Sequence, residues 1–274
     1  IQSGSTTTII TRTAVGQPIG QFYGYKVIGR FEKASDFYYK NSEGKVVPVA
    51  LPEGMSIGKN SVWIGDYIFE DINGNGVINE QDRTYIGNPN PKFTYGIGNS
   101  FSYKGFDLNV YLSGSYGNDV VNWMRTALEN PRENTNLLKS ALDYAKLELI
   151  DPNGPDDYRN IRIVGGDPYM PRMANSSASN ASNYRFSDRF VEDGSYLRIQ
   201  SISLGYTFPR KWISKMKLQN LRLYCNLQNV YTFTKYKGYD PEIGSDNQDA
   251  LLTGFDNYRY PSPRIYTFGL NVTF

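Results

Sequence analysis

The segment DINGNGVINEQD, residues 71–82, sets Asp71, Asn73 and Asn75 at its first, third and fifth positions, Gly76 at the sixth and Asp82 at the twelfth. Short oxygen-bearing side chains at alternate positions curl around one point, a glycine permits the sharp bend, and a closing carboxylate completes the shell. This is the spacing of an EF-hand calcium loop. Val77, at the seventh position, would offer its carbonyl. Hard oxygen donors favour Ca2+, here in a structural role. Asp82 stands where an EF-hand has glutamate, and a set with only two carboxylates predicts weak affinity suited to extracellular calcium. An Asn- and Gly-rich turn holding no ion accounts for the same letters.

Other chemistry is scarce. The chain of 274 residues contains no histidine, which removes the usual general base, the Ser-His-Asp and Cys-His arrangements and the commonest zinc ligand. Two carboxylate pairs, Asp156–Asp157 and Glu192–Asp193, are adjacent in sequence. Neighbours on a strand point apart, so neither makes a catalytic dyad, and no enzymatic activity is expected. The charge balance, 29 Lys and Arg against 27 Asp and Glu, has no basic block and gives no support to a nucleic-acid partner. Cys225 is the one cysteine and lies in phase with Leu221, Leu223 and Leu227, as a small apolar side chain would.

The elements that must position these residues are strands. With 23 Tyr, 14 Phe and 26 Gly at a negative mean hydropathy, the composition is β- and turn-rich. Phe93, Tyr95, Ile97 and Phe101 alternate with Thr94, Gly96, Gly98 and Ser100. After a tight turn, Phe106, Leu108, Val110 and Leu112 alternate with Asp107, Asn109, Tyr111 and Ser113. The pattern returns with Ile202, Leu204, Tyr206 and Phe208, again with Leu221 to Leu227, and in the closing PRIYTFGLNVTF. No apolar run approaches the ~20 residues of a transmembrane helix, whereas a barrel strand needs only about 9 to 11 alternating residues. Apolar faces turned to lipid around a wet lumen fit the pattern; so do two sheets of a soluble sandwich packed on each other.

Connections alternate between short, 103–105 and 209–220, and long, 114–195 and 232–263, as in outer-membrane barrels. Strands are also expected in IGQFYGYKVIGRF and VWIGDYIFEDI, for seven or eight in all. Within the long loop, 115–194, helical spacing predicts short helices over NDVVNWMRTALEN and NTNLLKSALDYAKLELI, capped by Asn118 and Asn134, followed by an extended or mobile NSSASNASN.

GDYIFEDINGNGVINEQDRTYIGNPNPKFTYGIGNSFSYKGFDLNVYLSGSYG, SDRFVEDGSYLRIQSISLGYTFP, YKGYDPE and the terminal YPSPRIYTFGLNVTF, in that order, resemble the C-terminal part of SusC/RagA-like TonB-dependent transporters of Bacteroidetes outer membranes. The resemblance covers about residues 16–274. It implies an all-β fold, a transmembrane antiparallel β-barrel of the 22-stranded class. This chain would supply about the last third of that barrel, and the plug, TonB box and earlier strands would lie outside it. The terminal Phe274 resembles the aromatic end residue by which such barrels are recognised for insertion.

The resemblance implies a cell outer membrane location, active import of oligosaccharides or peptides, a SusD-like surface lipoprotein as partner, and energy from TonB-ExbB-ExbD acting through the plug. Outer-membrane lipid would surround the strands. Trp123, Tyr169, Tyr184, Tyr239, Tyr258 and Tyr260 are the candidate substrate contacts, since aromatic faces stack on sugar rings or peptide side chains. The competing reading is a soluble or surface calcium-stabilised carbohydrate-binding β-domain without transport activity.

Overall fold

The computed structural model describes residues 2–3, 6–7, 9–131, 136–174, 182–245 and 249–274. The chain divides into two compact units, one of residues 1–88, 121–191 and 250–252, the other of residues 89–120, 192–249 and 253–274.

The second unit is built on a five-stranded sheet. In spatial order its strands are Phe93–Tyr103, Phe106–Tyr116, Tyr196–Thr207, Asn220–Thr234 and Ile265–Thr273, every pair antiparallel. The first hairpin closes through Lys104 and Gly105, both with positive φ, +47° and +91°. A two-residue loop of that kind matches the right-handed twist of the strands it joins and fixes their register.

Register then carries one apolar row across the sheet: Phe101 pairs with Leu108, Leu108 with Leu204, Leu204 with Cys225 and Cys225 with Phe268. Beside it run Tyr103, Phe106, Tyr206, Leu223 and Leu270. The strict alternation breaks at Gln200, where a bulge displaces the pairing and places both Ile199 and Ile202 on the apolar side. The apolar rows are open: Phe101 is 61% exposed, Leu204 46% and Phe268 77%. Each large apolar side chain left in water forgoes about 1.5–3 kcal/mol, and a domain has only about 5–15 kcal/mol of net stability. Such a face must meet hydrocarbon. The dry sandwich core is absent among the described residues of this unit. Among the described residues both outer strands, Phe93–Tyr103 and Ile265–Thr273, pair on one side only, so the sheet is an arc of a larger ring whose closure removes those edges.

Five strands, rather than seven or eight, form this arc. The expected strands near residues 19–31 and 62–72 lie in the first unit as short pieces, Gln21–Gly24 paired with Thr84–Gly87 and Val27–Arg30 paired with Tyr67–Phe69. They alternate poorly because they serve a dry core of their own. Phe31, Phe37, Val62, Trp63, Ile64 and Ile161 form one cluster, and Ala50, Tyr67, Phe69 and Ile78 another.

The expected helices are also largely replaced. Asp119–Asn122 is a strand and only Met124–Leu128 is α-helical. Lys139–Asp143 is a 3-10 turn that leads into the strand Lys146–Leu149. Asn118 caps no helix: its Oδ1 lies 2.7 Å from Ser115 Oγ, and its carbonyl accepts from Gly194 N–H. Asn134 and most of NSSASNASN, residues 175–181, lie outside the described residues; Asn183 is buried.

Candidate functional site

The polar side of the sheet is a ladder of hydrogen-bonding groups. Ser100 Oγ donates to Asn109 Oδ1 and Ser203 Oγ to Asn226 Oδ1, each at 2.6 Å, in register across successive strands. One step along, Arg222 Nη2 meets Asp107 Oδ2 at 2.6 Å across the intervening strand. Gly205 makes this reach possible, because a Cβ there would stand 2.6 Å from the Asp107 carboxylate. Tyr111 lies over Gly96 in the same way, 2.7 Å from where a Cβ would be. Strands with these gaps present hydroxyl, amide, carboxylate and guanidinium groups to water on one face, as a hydrated lumen requires.

At the long-connection end of this face stands Arg198, 2% exposed. Its Nε donates to Thr232 Oγ1 at 3.0 Å and its Nη1 to Glu242 Oε2 at 2.7 Å, and Nη2 is bonded to Asp240. Asp240 also accepts from Ser262 N–H at 3.2 Å. One arginine thereby holds the connection after Thr234 against the polar side. Further along it, Tyr236 Oη donates to the fully buried Asp256 at 2.6 Å.

In the first unit, the loop of residues 71–82 is folded by its own acceptors. Asp71 accepts from Gly74 and Gly76 N–H at 2.8 Å each, Asn73 from Asn75 at 3.0 Å and Asn75 from Val77 at 2.9 Å. Asp82, fully buried, takes Asn79 N–H at 2.8 Å and Ile72 N–H at 3.1 Å. Oxygen donors of this kind are the chemistry that a hard cation takes. Asp71, Asn73 and Asn75 stand at the loop surface with lone pairs beyond those the backbone uses, the positive φ of Gly76, +81°, provides the bend, and Asp82 serves chiefly to staple the two ends of the loop.

Two networks of buried charge in this unit were missed by sequence reasoning. Asp66 accepts from Arg172 Nε at 2.8 Å and Nη2 at 3.0 Å, and from Asn183 Nδ2 at 2.8 Å. Glu129 accepts from Arg125 Nε at 2.9 Å and Arg189 Nη2 at 2.6 Å, while Tyr184 Oη donates to the Glu129 carbonyl at 2.7 Å. Burial pushes the Tyr184 phenol up to about 12, against the lowering influence of Arg189, and burial likewise raises Tyr67. No local signal marks these partners: Asp66 and Arg172 are separated by 106 positions. For Asp107 and Arg222, alternation does place both on polar faces, but their strands are two apart.

The candidate aromatic contacts fall in both units. In the first, Trp123 packs on Phe186 with ring centroids 5.9 Å apart, Tyr184 is tied to Glu129, and Tyr169 is 82% exposed. In the second, Tyr239, Tyr258 and Tyr260 are all exposed. Trp63, Glu148, Asp156 and Lys59 line a cavity of about 390 Å3 in the first unit. The adjacent carboxylates have separate partners: Asp156 pairs with Lys59 and Asp157 with Arg159, while Glu192 accepts from Lys237 N–H and Asp193 from Ser195 N–H.

Comparison with known proteins matches this architecture. No family model matches the chain. TonB-dependent receptor P3 of Formosa agariphila is 33% identical over 263 residues, 94% of this chain and 22% of that protein. TonB-dependent receptor SusC of Bacteroides thetaiotaomicron is 27% identical over 208 residues, 76% of this chain and 17% of that protein. Among solved structures, the RagAB peptide transporter superposes with a TM-score of 0.58 at 20% identity, over 93% of this chain and 23% of that one. The RagAB peptide importer in its closed-closed state gives 0.55 at 18%. The chain therefore spans less than a quarter of these relatives' length. Sequence similarity and barrel fold together identify it as a C-terminal portion of a SusC/RagA-like TonB-dependent receptor.

Proposed function

We propose that this chain forms part of the wall and surface loops of an outer-membrane barrel that actively imports oligosaccharides or peptides. The observation that carries the reading is the register of the sheet: an apolar belt on one side, interrupted at Asn99, a hydrogen-bonding ladder on the other, and two edges unpaired among the described residues. Such an arc separates lipid from water only when the ring is completed by further strands. A plug acted on by TonB-ExbB-ExbD supplies the energy, and a SusD-like surface lipoprotein lids the barrel. Tyr169 in the first unit, and Tyr239, Tyr258 and Tyr260 in the second, expose aromatic faces that could stack on substrate, while Trp123 and Tyr184 pack within the first unit.

Uptake by intact cells tests this directly. Deletion of the whole receptor abolishes accumulation of its oligosaccharide or peptide, and so does collapse of the proton-motive force; uptake unaffected by either would refute the importer. Calcium in the 71–82 loop is part of the same proposal, supported by the oxygen-bearing side chains of Asp71, Asn73 and Asn75 on one tight turn, and is read by titration of the purified receptor. No binding at millimolar calcium would end it.

A further inference from the structure

The short connection Pro209–Gln219 is chemically unlike the rest of the sheet. It folds as a helical turn, Arg210–Ile213 continuing through Ser214–Met216, and is closed by Lys217 at a φ of +57°. Ile213 is buried and anchors the turn, while Trp212 and Met216, four positions apart and so on one face, are 64% and 65% exposed. Arg210, Lys211, Lys215 and Lys217 are exposed, make no ion pair among the described residues, and have no acidic residue between Phe208 and Arg222. At the same end of the strands lie Phe106, Tyr206 and Phe208, with ring centroids 4.3 Å and 4.9 Å apart in succession, and Lys104, which stands over the Tyr103 ring. The turn joins the third and fourth strands of the arc, away from both open edges, so the strands that close the ring do not cover it.

Unpaired cations interleaved with exposed Trp and Met, set where an apolar belt ends, match the chemistry of a bilayer interface: indole and thioether enter the acyl boundary while ammonium groups meet phosphate. We propose that the turn 209–219 is an interfacial anchor that binds the phosphate of anionic phospholipid headgroups in the leaflet facing the short-turn, periplasmic end of the barrel. The proposal rests on the membrane-barrel reading above. Lys211, Lys215 and Lys217 supply the charge, Trp212 the depth and Ile213 the rigid attachment to the sheet.

The test uses the whole receptor reconstituted into phosphatidylethanolamine bilayers, titrated with brominated phosphatidylglycerol while tryptophan emission is followed. Quenching that is lost in Trp212→Phe reports contact at the turn. Each lysine removed weakens phosphatidylglycerol binding about fivefold at low salt, so K211Q/K215Q/K217Q loses on the order of 100-fold, with quenching by brominated phosphatidylethanolamine unchanged. Equal phosphatidylglycerol binding by wild type and triple variant would overturn the anchor. So would identical quenching in Trp212→Phe, or displacement by millimolar inorganic phosphate, which would indicate a free-anion site. Flotation of the receptor with the vesicles checks the barrel reading separately, so either claim can fail alone.

Discussion

Asp107 and Arg222 belong to strands that do not touch, yet their side chains meet at 2.6 Å over the bare backbone of Gly205 between them. Both are about 30% exposed, at 28% and 30%, so the pair itself contributes no more than about 1 kcal/mol. The glycine matters more than the charge. Gly205→Leu is expected to cost about 1–3 kcal/mol by overpacking, and Asp107→Asn less than about 1 kcal/mol; urea unfolding of the detergent-solubilised receptor measures both.

Asp66 is held by a buried guanidinium and a buried amide. Asp66→Ala removes the carboxylate that neutralises the buried Arg172 guanidinium and is expected to destabilise the first unit by about 3–5 kcal/mol. The double variant Asp66→Ala/Arg172→Met should lose less than Asp66→Ala alone. Limited proteolysis of the loops reads the order.

How much of this was legible in the sequence depends on the range of the interaction that decides it. The hairpin at Lys104–Gly105 and the apolar rows were legible because period-two alternation and a positive-φ turn are local signals. The Gln200 bulge was visible only as a slip in alternation between Ile199 and Ile202. Residues 137–145 carried helical spacing, and Ala141 and Ala145 are indeed buried, but the Asp143 carbonyl bonds Asp167 N–H at 2.7 Å and Ala145 N–H bonds the Pro171 carbonyl at 3.1 Å. Those distant partners satisfy the backbone in extended form, and nothing in the local letters announces them. The loop of residues 71–82 was singled out from spacing alone; the Arg198 and Glu129 networks, assembled from distant segments, left no such mark.

Arg198 is expected to act as a clamp on the connection after Thr234. Arg198→Gln removes its contacts with Asp240 and Glu242 and leaves Asp240 with only backbone partners. Hydrogen exchange across residues 236–245 should accelerate at least tenfold while the strand Phe106–Tyr116 keeps its protection; equal exchange in both proteins would contradict the clamp.

Tyr184 sets an alkaline limit on its unit. The folded phenol titrates at about 12, above its ordinary value of 10.0, so the folded state holds the proton more tightly than the unfolded chain. The resulting stabilisation is fully present below pH 10 and is lost as pH rises from 10 towards 12. Tyr184→Phe removes the hydrogen bond to Glu129, at about 1 kcal/mol, and flattens the loss of stability over that range in thermal melts.

The direction in which the apolar rows face is tested most directly by spin labels in the whole receptor in bilayers, with Cys225 replaced by Ala. Labels at Leu204 and Phe268 should relax with oxygen dissolved in the hydrocarbon and ignore a water-soluble nickel complex, while labels at Ser203 and Thr267 should do the reverse. Nickel accessibility at Leu204 and Phe268 equal to that at Ser203 and Thr267 would contradict a lipid-facing barrel wall.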